Sequence, residues 1–326
     1  MLHKTHFLSE DECAVGDVIQ RGDMVASLVV QAFERRIAAL VGRKYCVATN
    51  TGTAALMAAI NYRGARWFPT LTYAATLSAG SLTMSRNTDD GFVAGSLYDN
   101  VSPVPPFRNT YDGVVGVDLF GLPCDLSVDI LDACESLGTL VDGEAAARRG
   151  GLACLSFNAN KILTTGQGGA VVTDDEGAAM WIRQFINQGK GSGHFKHVFV
   201  GINGRMNPMS AALGLSQLSR FDDTLRDHAR VHTEYFDALY GLDGIDVQLA
   251  PDKVKWNHWL VVAQVEDPLD RDVLVAALNA VGIEARPCFP CLHLEGPWAD
   301  PRRSFPGAED YSARTLLLPS GVMGHD

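Results

Sequence analysis

The sequence predicts an α/β protein with a mixed, mostly parallel sheet flanked by helices, followed by a smaller C-terminal α+β unit. Three observations carry this prediction. A strand, a Gly-containing turn and a helix follow one another across residues 45–60, and that is the building unit of α/β folds. Several short β runs are apolar almost throughout, as strands covered on both faces are. From about Phe221 the pattern changes to a long helix, a strand and a second helix.

In chain order, Val25, Leu28, Val29, Phe33, Ile37, Leu40 and Val41 recur at three- and four-residue spacing, so 25–41 reads as an amphipathic helix. Residues 45–49 read as a strand, 50–53 turn the chain, and 54–60 read as a helix. Further strands are expected at 113–118, 129–132, 152–157 and 169–173. Beyond them, 225–239 reads as a helix, 260–265 as a strand, and 270–281 as a helix closed by Gly282. The 326 residues suit about two domains. We read a large unit over 1–220 and a small one over 221–326.

With 47% hydrophobic and 20% charged residues, the chain has the makings of a buried core. Its net charge of −11 argues against nucleic-acid or acidic-membrane partners, which need a basic footprint. No apolar run approaches the ~20 residues of a transmembrane helix, and the start lacks the apolar stretch of a secretion signal, so the chain reads as cytoplasmic. Seven scattered cysteines read as reduced thiols. Cys288 and Cys291 form one C-x-x-C beside His293, short of a zinc set, and no metal is expected.

The chemistry concentrates at three places. Lys161 follows a strand and precedes a Gly-rich turn, Gly166 to Gly169, that leads into another strand. It is held on rigid scaffold yet reachable, although spacing alone also fits a solvated loop lysine. Asp132 ends an apolar strand, where a carboxylate calls for a cationic partner such as a protonated pyridine nitrogen. It also suits a cap for a short helix at 133–136. Thr51, Gly52 and Thr53 at a helix start offer N–H groups and hydroxyls to a phosphate, or form an ordinary cap. Phosphate cradle, pyridinium partner and reactive lysine together make the inventory of a pyridoxal phosphate enzyme.

These stretches resemble the DegT/StrS sugar aminotransferases, fold-type I pyridoxal phosphate enzymes that aminate keto-sugars. The resemblance runs in order through 50–56, 69–76, 118–123, 131–135, 156–169, 201–206 and Gln217-Leu218. It implies that Lys161 forms the internal aldimine and shuttles the proton, that Asp132 faces the pyridine nitrogen, and that Tyr73 stacks on the ring. Tyr73 alone reads as a half-buried strand aromatic. By the same resemblance Ser156, Gly52 and Thr53 hold the phosphate, and Glu135 falls beside the cofactor hydroxyl, adding negative charge or being itself protonated. Asn203 reaches the phosphate of a neighbouring subunit's cofactor, which implies a homodimer with shared sites.

For substrate, His293 matches a family element near the mouth or is a surface loop histidine; Arg286 is a clamp for the donor carboxylate or a surface arginine. Lys190 lies in a variable loop that meets a diphosphate or carboxylate, or is simply solvated. The implied reaction moves an amino group from an amino acid, usually glutamate, to a keto-sugar, usually nucleotide-linked. Dehydrating relatives carry histidine in place of the lysine, so Lys161 favours transamination. A free sugar aldehyde or aminocyclitol precursor is the alternative acceptor, and a non-catalytic regulatory homologue the alternative class. The chain is short for the family, with an irregular stretch between Thr76 and Val114.

Overall fold

The computed structural model describes residues 7–24, 28–65, 67–83, 91–93, 113–124, 127–191 and 195–321. The irregular stretch before Val114 therefore lies largely outside the described residues. Apart from the two-residue strands Leu140–Val141 and Glu144–Ala145, the strands of the first unit are β1 (Tyr45–Thr49), β2 (Trp67–Pro69), β3 (Gly91–Val93), β4 (Val115–Val117), β5 (Ile130–Asp132), β6 (Leu152–Ser156) and β7 (Gly169–Thr173). Five of them form one sheet in the order β1-β7-β6-β5-β4. β7 runs antiparallel to both of its neighbours, while β6, β5 and β4 pair in parallel. Four strands thus share one direction. A parallel bridge from Trp67 to Val114 carries the sheet on to β2, which pairs in parallel with β3.

Alternate residues of each strand enter different cores, the period-2 rule of a pleated chain. Cys46, Ala48, Leu131, Ala153, Leu155, Ala170 and Val172 face one layer, with the helices Leu28–Val41 and Pro208–Leu218. Val47, Val115, Ile130, Leu152, Cys154 and Val171 face the other, with the helices Gly52–Arg63, Ala74–Thr83 and Glu176–Phe185. Both faces are covered, which explains the near-continuous apolar runs.

The second unit holds a four-stranded sheet that includes Val261–Val265 and Thr315–Leu318. Its faces also divide. Val262 and Leu317 join the core of the first unit, whereas Val261, Ala263, Leu316 and Leu318 form a separate core with partly buried residues of the helices Phe221–Leu239 and Pro268–Ala280. The first of these helices starts at Phe221 instead of 225, with Asp222 and Asp223 in the first turn where the helix end favours acids. The second is capped by Asp267, which accepts from the Leu269 N–H at 2.9 Å, with Pro268 in its first turn. No helix forms at 133–136. Ser136 and Thr139 N–H groups close successive turns on Ala133 and Ser136 carbonyls instead.

Helix Phe221–Leu239 is tied to the segment before strand Val261–Val265 by three histidines. His228 Nδ1 donates to the His258 carbonyl at 3.0 Å, and the His232 and His258 rings lie 4.2 Å apart. Burial lowers His228 to about 4 and His258 to about 3, the latter with its histidine neighbours adding to the fall. These groups are neutral in the fold and take up protons when unfolded, so their contribution is complete above pH 6.5 and is lost as pH falls toward 4. Burial works against Asp11, but Arg220 and the Leu8 N–H hold it low, and Arg302 and Arg303 hold Asp300 low, so both lose their contribution only as pH falls through the ordinary carboxylate range. Buried Asp118 and Glu135, raised by desolvation, oppose this fall, so the readout is a difference: between pH 6.5 and 4 the urea midpoint of wild type should drop relative to that of His228→Gln, and a constant difference between the two would contradict this account.

Candidate active site

The C-terminal ends of β1, β5 and β6 lie along one edge of the sheet, where open α/β sheets place their ligands. Past β1, Thr51 caps the helix Gly52–Arg63, its hydroxyl accepting from the Ala54 N–H at 3.0 Å. That leaves the Gly52 and Thr53 N–H groups without an intrahelical acceptor. Gly52 is packed tightly: a Cβ there would meet Ser156 Cβ at 3.0 Å, Cys134 Sγ at 3.1 Å and Ser156 Oγ at 3.2 Å. Gly169, opposite Ser156 in the ladder, approaches the same turn so closely that its Cβ would lie 2.4 Å from the Thr51 carbonyl. Two glycines thus bring a helix start and a serine hydroxyl into one notch.

Asp132, at the end of β5, is buried. Its Oδ2 accepts from the Thr76 hydroxyl at 2.8 Å and its Oδ1 from the Cys134 N–H at 3.2 Å. The turn that replaces the expected helix carries Glu135 round to Lys161, whose Nζ lies 3.3 Å from Glu135 Oε1. Lys161 Nζ also sits 3.5 Å from the centre of the Trp259 ring. Gly52, Ser156, Cys134, Asp132, Glu135, Lys161 and Trp259 therefore follow one another through contacts and short turns. Burial pushes the Glu135 carboxyl up, opposed by Lys161 and by the Phe120 N–H that donates to Oε2 at 2.7 Å, while Asp132 adds to the rise. Desolvation likewise pushes the Cys134 thiol well up, which makes it a packing group.

Tyr73 is not on a strand. It immediately precedes the helix Ala74–Thr83 that delivers Thr76 to Asp132, and its exposed ring packs 5.7 Å from Phe289. Phe289 in turn lies 5.6 Å from Phe120, so three aromatics form one wall.

Four expected residues stand apart from this cluster. Asn203 is exposed, its carbonyl taking the Asn50 side-chain N–H at 3.3 Å, and it lines a separate cavity of about 350 Å³ with Glu34, Arg183 and Arg205. Arg286 makes an exposed ion pair with Glu284 at 2.5 Å. Lys190 is exposed and bridges to His197 in its loop; His194 lies outside the described residues. His293 is not a surface loop histidine: it is fully buried, Nδ1 bonded to the Thr70 hydroxyl and Nε2 to Glu309 at 3.0 Å.

The residues missed from sequence come mainly from the second unit. Trp256 donates to the Phe120 carbonyl at 2.8 Å, Asn257 to the Glu135 and Leu137 carbonyls at 2.7 and 3.0 Å, and Trp259 to the Asn160 carbonyl at 2.6 Å. The cluster of two tryptophans, Asn257 and His258 in four residues was the available signal. Phe120 itself has φ 57°, rare for a bulky residue, and this orientation aims its N–H at Glu135. The turn is anchored by fully buried Asp118, which pairs with Arg149 and accepts from the Ser136 hydroxyl at 2.7 Å. Arg149→Met should leave that carboxylate uncompensated and cost about 3–5 kcal/mol. Adding Asp118→Asn should recover part of the loss in chemical denaturation; no recovery would mean that Arg149 acts through packing alone.

Among the described residues no group of three or more His, Cys, Asp or Glu side chains is placed to hold a metal ion, and no helix is long and apolar enough to cross a membrane. The chain is 31% identical over 291 residues to GDP-perosamine synthase of Caulobacter vibrioides, covering 82% of this chain and 78% of that protein. The crystal structure of DesI in the presence of its TDP-sugar product matches with a TM-score of 0.84 at 28% identity, over 94% of this chain and 85% of that one. DesV of S. venezuelae in complex with a ketimine intermediate matches at 0.83 and 25%, over 95% and 89%. Residues 8–85 and 107–323 match the DegT/DnrJ/EryC1/StrS aminotransferase family, and with the lysine, carboxylates and helix start gathered at one sheet edge, the chain is an aminotransferase belonging to that family.

Proposed function

We propose that the protein moves an amino group from an amino acid of the glutamate type to the keto carbon of a nucleotide-linked sugar, using pyridoxal 5'-phosphate. The observation that carries this reading is the contact of Lys161 Nζ with Glu135 in a buried cluster that also holds Asp132, Ser156 and the Gly52 notch. That notch fits the cofactor's phosphate: a Cβ at Gly52 would fill it, and the Gly52 and Thr53 N–H groups, the Ser156 hydroxyl and the positive helix end all favour an anion. When bound, pyridoxal phosphate supplies a protonated pyridine ring as an electron sink.

The residues of the chain would do the rest. Asp132, its oxygens already oriented by Thr76 and the Cys134 N–H, holds the proton on the ring nitrogen. The exposed ring of Tyr73 stacks on the cofactor, and Glu135 lies toward its hydroxyl. Lys161 Nζ takes the proton from the donor's α-carbon and returns it to the carbon that was the ketone. Nucleotide-sugar substrates are supported by the names of the relatives, a GDP-perosamine synthase and an enzyme crystallised with a TDP-sugar. A homodimer is supported by the exposure of Asn203 and of the nearby loop, whose Phe195 and Val200 are 90% and 92% exposed. Lys190 belongs to that loop, and Lys190 and Arg286, both exposed, would reach substrate in such an assembly.

The reading is tested with purified protein, pyridoxal phosphate, glutamate and a panel of keto-sugar nucleotides. Wild type should turn yellow with the cofactor, bleach with glutamate and regain colour with the right acceptor. Lys161→Ala should lose turnover by about 10⁴-fold, and Asp132→Asn by about 100-fold. A wild type that never bleaches with any amino donor would overturn the aminotransferase reading.

A further inference from the structure

The two carboxylates beside Lys161 are held differently. Asp132 accepts from the Thr76 hydroxyl and the Cys134 N–H, so neutral donors stabilise both of its oxygens. Glu135 has one such donor, the Phe120 N–H on Oε2; its Oε1 faces the Lys161 ammonium at 3.3 Å. The other titratable groups facing Glu135 are Asp132, which opposes its charge, and the buried thiol of Cys288. The Trp259 face, 3.5 Å from Nζ, stabilises the same ammonium.

An ammonium cannot attack a carbonyl, so a lysine paired with a carboxylate must give up a proton before it reacts. Moving that proton to Oε1 replaces two buried charges with two neutral groups, which relieves desolvation instead of adding to it. Oε2 then becomes the carbonyl oxygen of a neutral acid and still accepts the Phe120 N–H, so no hydrogen bond is lost there. The strained turn at Phe120 and the Asn257 bond to the Glu135 carbonyl keep the acid in place.

We propose that Glu135 is a catalytic base for Lys161: on cofactor capture Oε1 takes one proton from Nζ, the bonding pair stays on nitrogen, and no other reactant takes part. This rests on the role given to Lys161 under Proposed function. The test titrates whole cofactor-free protein with pyridoxal phosphate, followed by infrared difference spectroscopy and stopped-flow absorbance. Wild type should gain the carbonyl band of a protonated carboxyl on binding. Glu135→Gln, which keeps an acceptor for Phe120, should lose that band and capture the cofactor about 100-fold more slowly. No band in wild type, a band that persists in Glu135→Gln, or an unchanged or faster capture rate in that variant overturns the proposal. Lys161→Ala separates the two readings. A wild-type visible spectrum in Lys161→Ala removes the lysine from the cofactor and the earlier reading with it, whereas a changed spectrum there with wild-type behaviour of Glu135→Gln overturns the Glu135 assignment alone.

Discussion

Holding an ammonium and a carboxylate together out of water is expensive unless each is matched on its remaining sides, and the architecture around Lys161 and Glu135 is organised by that demand. The carboxylate needs a donor that is not the lysine, and the Phe120 N–H supplies it only because the backbone there adopts an unfavourable left-handed conformation. The ammonium needs a polarisable surface, and Trp259 supplies it. Each of these in turn needs an anchor. Asp118 with Arg149 fixes the turn, Trp256 bonds to the Phe120 carbonyl, and the Trp259 indole is tethered to the Asn160 carbonyl beside the lysine itself.

Sheet topology does the remaining work. Because β1, β5 and β6 run the same way, their ends deliver the Gly52 helix start, Asp132 and Ser156 to one edge. The reversed β7 begins at that edge, so its first residue, Gly169, backs the Thr51 turn. One antiparallel strand in an otherwise parallel set allows the Lys161 loop and the Gly52 notch to share neighbours without a long crossover.

Much of this was legible in the sequence because it depends on local pattern. The five strands of the main sheet followed from apolar runs, whereas short ones such as Trp67–Pro69 did not, and Lys161, Asp132 and Gly52, each of which alone also fits a loop or a cap, stood out in combination. What was not legible depends on distance along the chain. Nothing near His293 announces that Thr70 and Glu309 will occupy both ring nitrogens, and nothing near Lys161 announces Trp259. The turn at 133–136 was ambiguous for a physical reason: Asp followed by small and polar residues caps a helix or starts a turn equally well, and the choice is made by remote groups, Asn257 and Phe120, that bind Glu135.

The two-faced sheet of the second unit has a consequence for how the molecule comes into being. Trp259 is seated by strand Val261–Val265, which pairs with Thr315–Leu318, and its carbonyl is held by the Ser320 hydroxyl. During synthesis the large unit emerges first and can begin to fold, but its lysine gains the aromatic platform only after residue 320 has left the ribosome. Until then Lys161 and Glu135 face each other without the aromatic surface that offsets the lysine's loss of water, so the surroundings of the pair are completed by one of the last strands to be made.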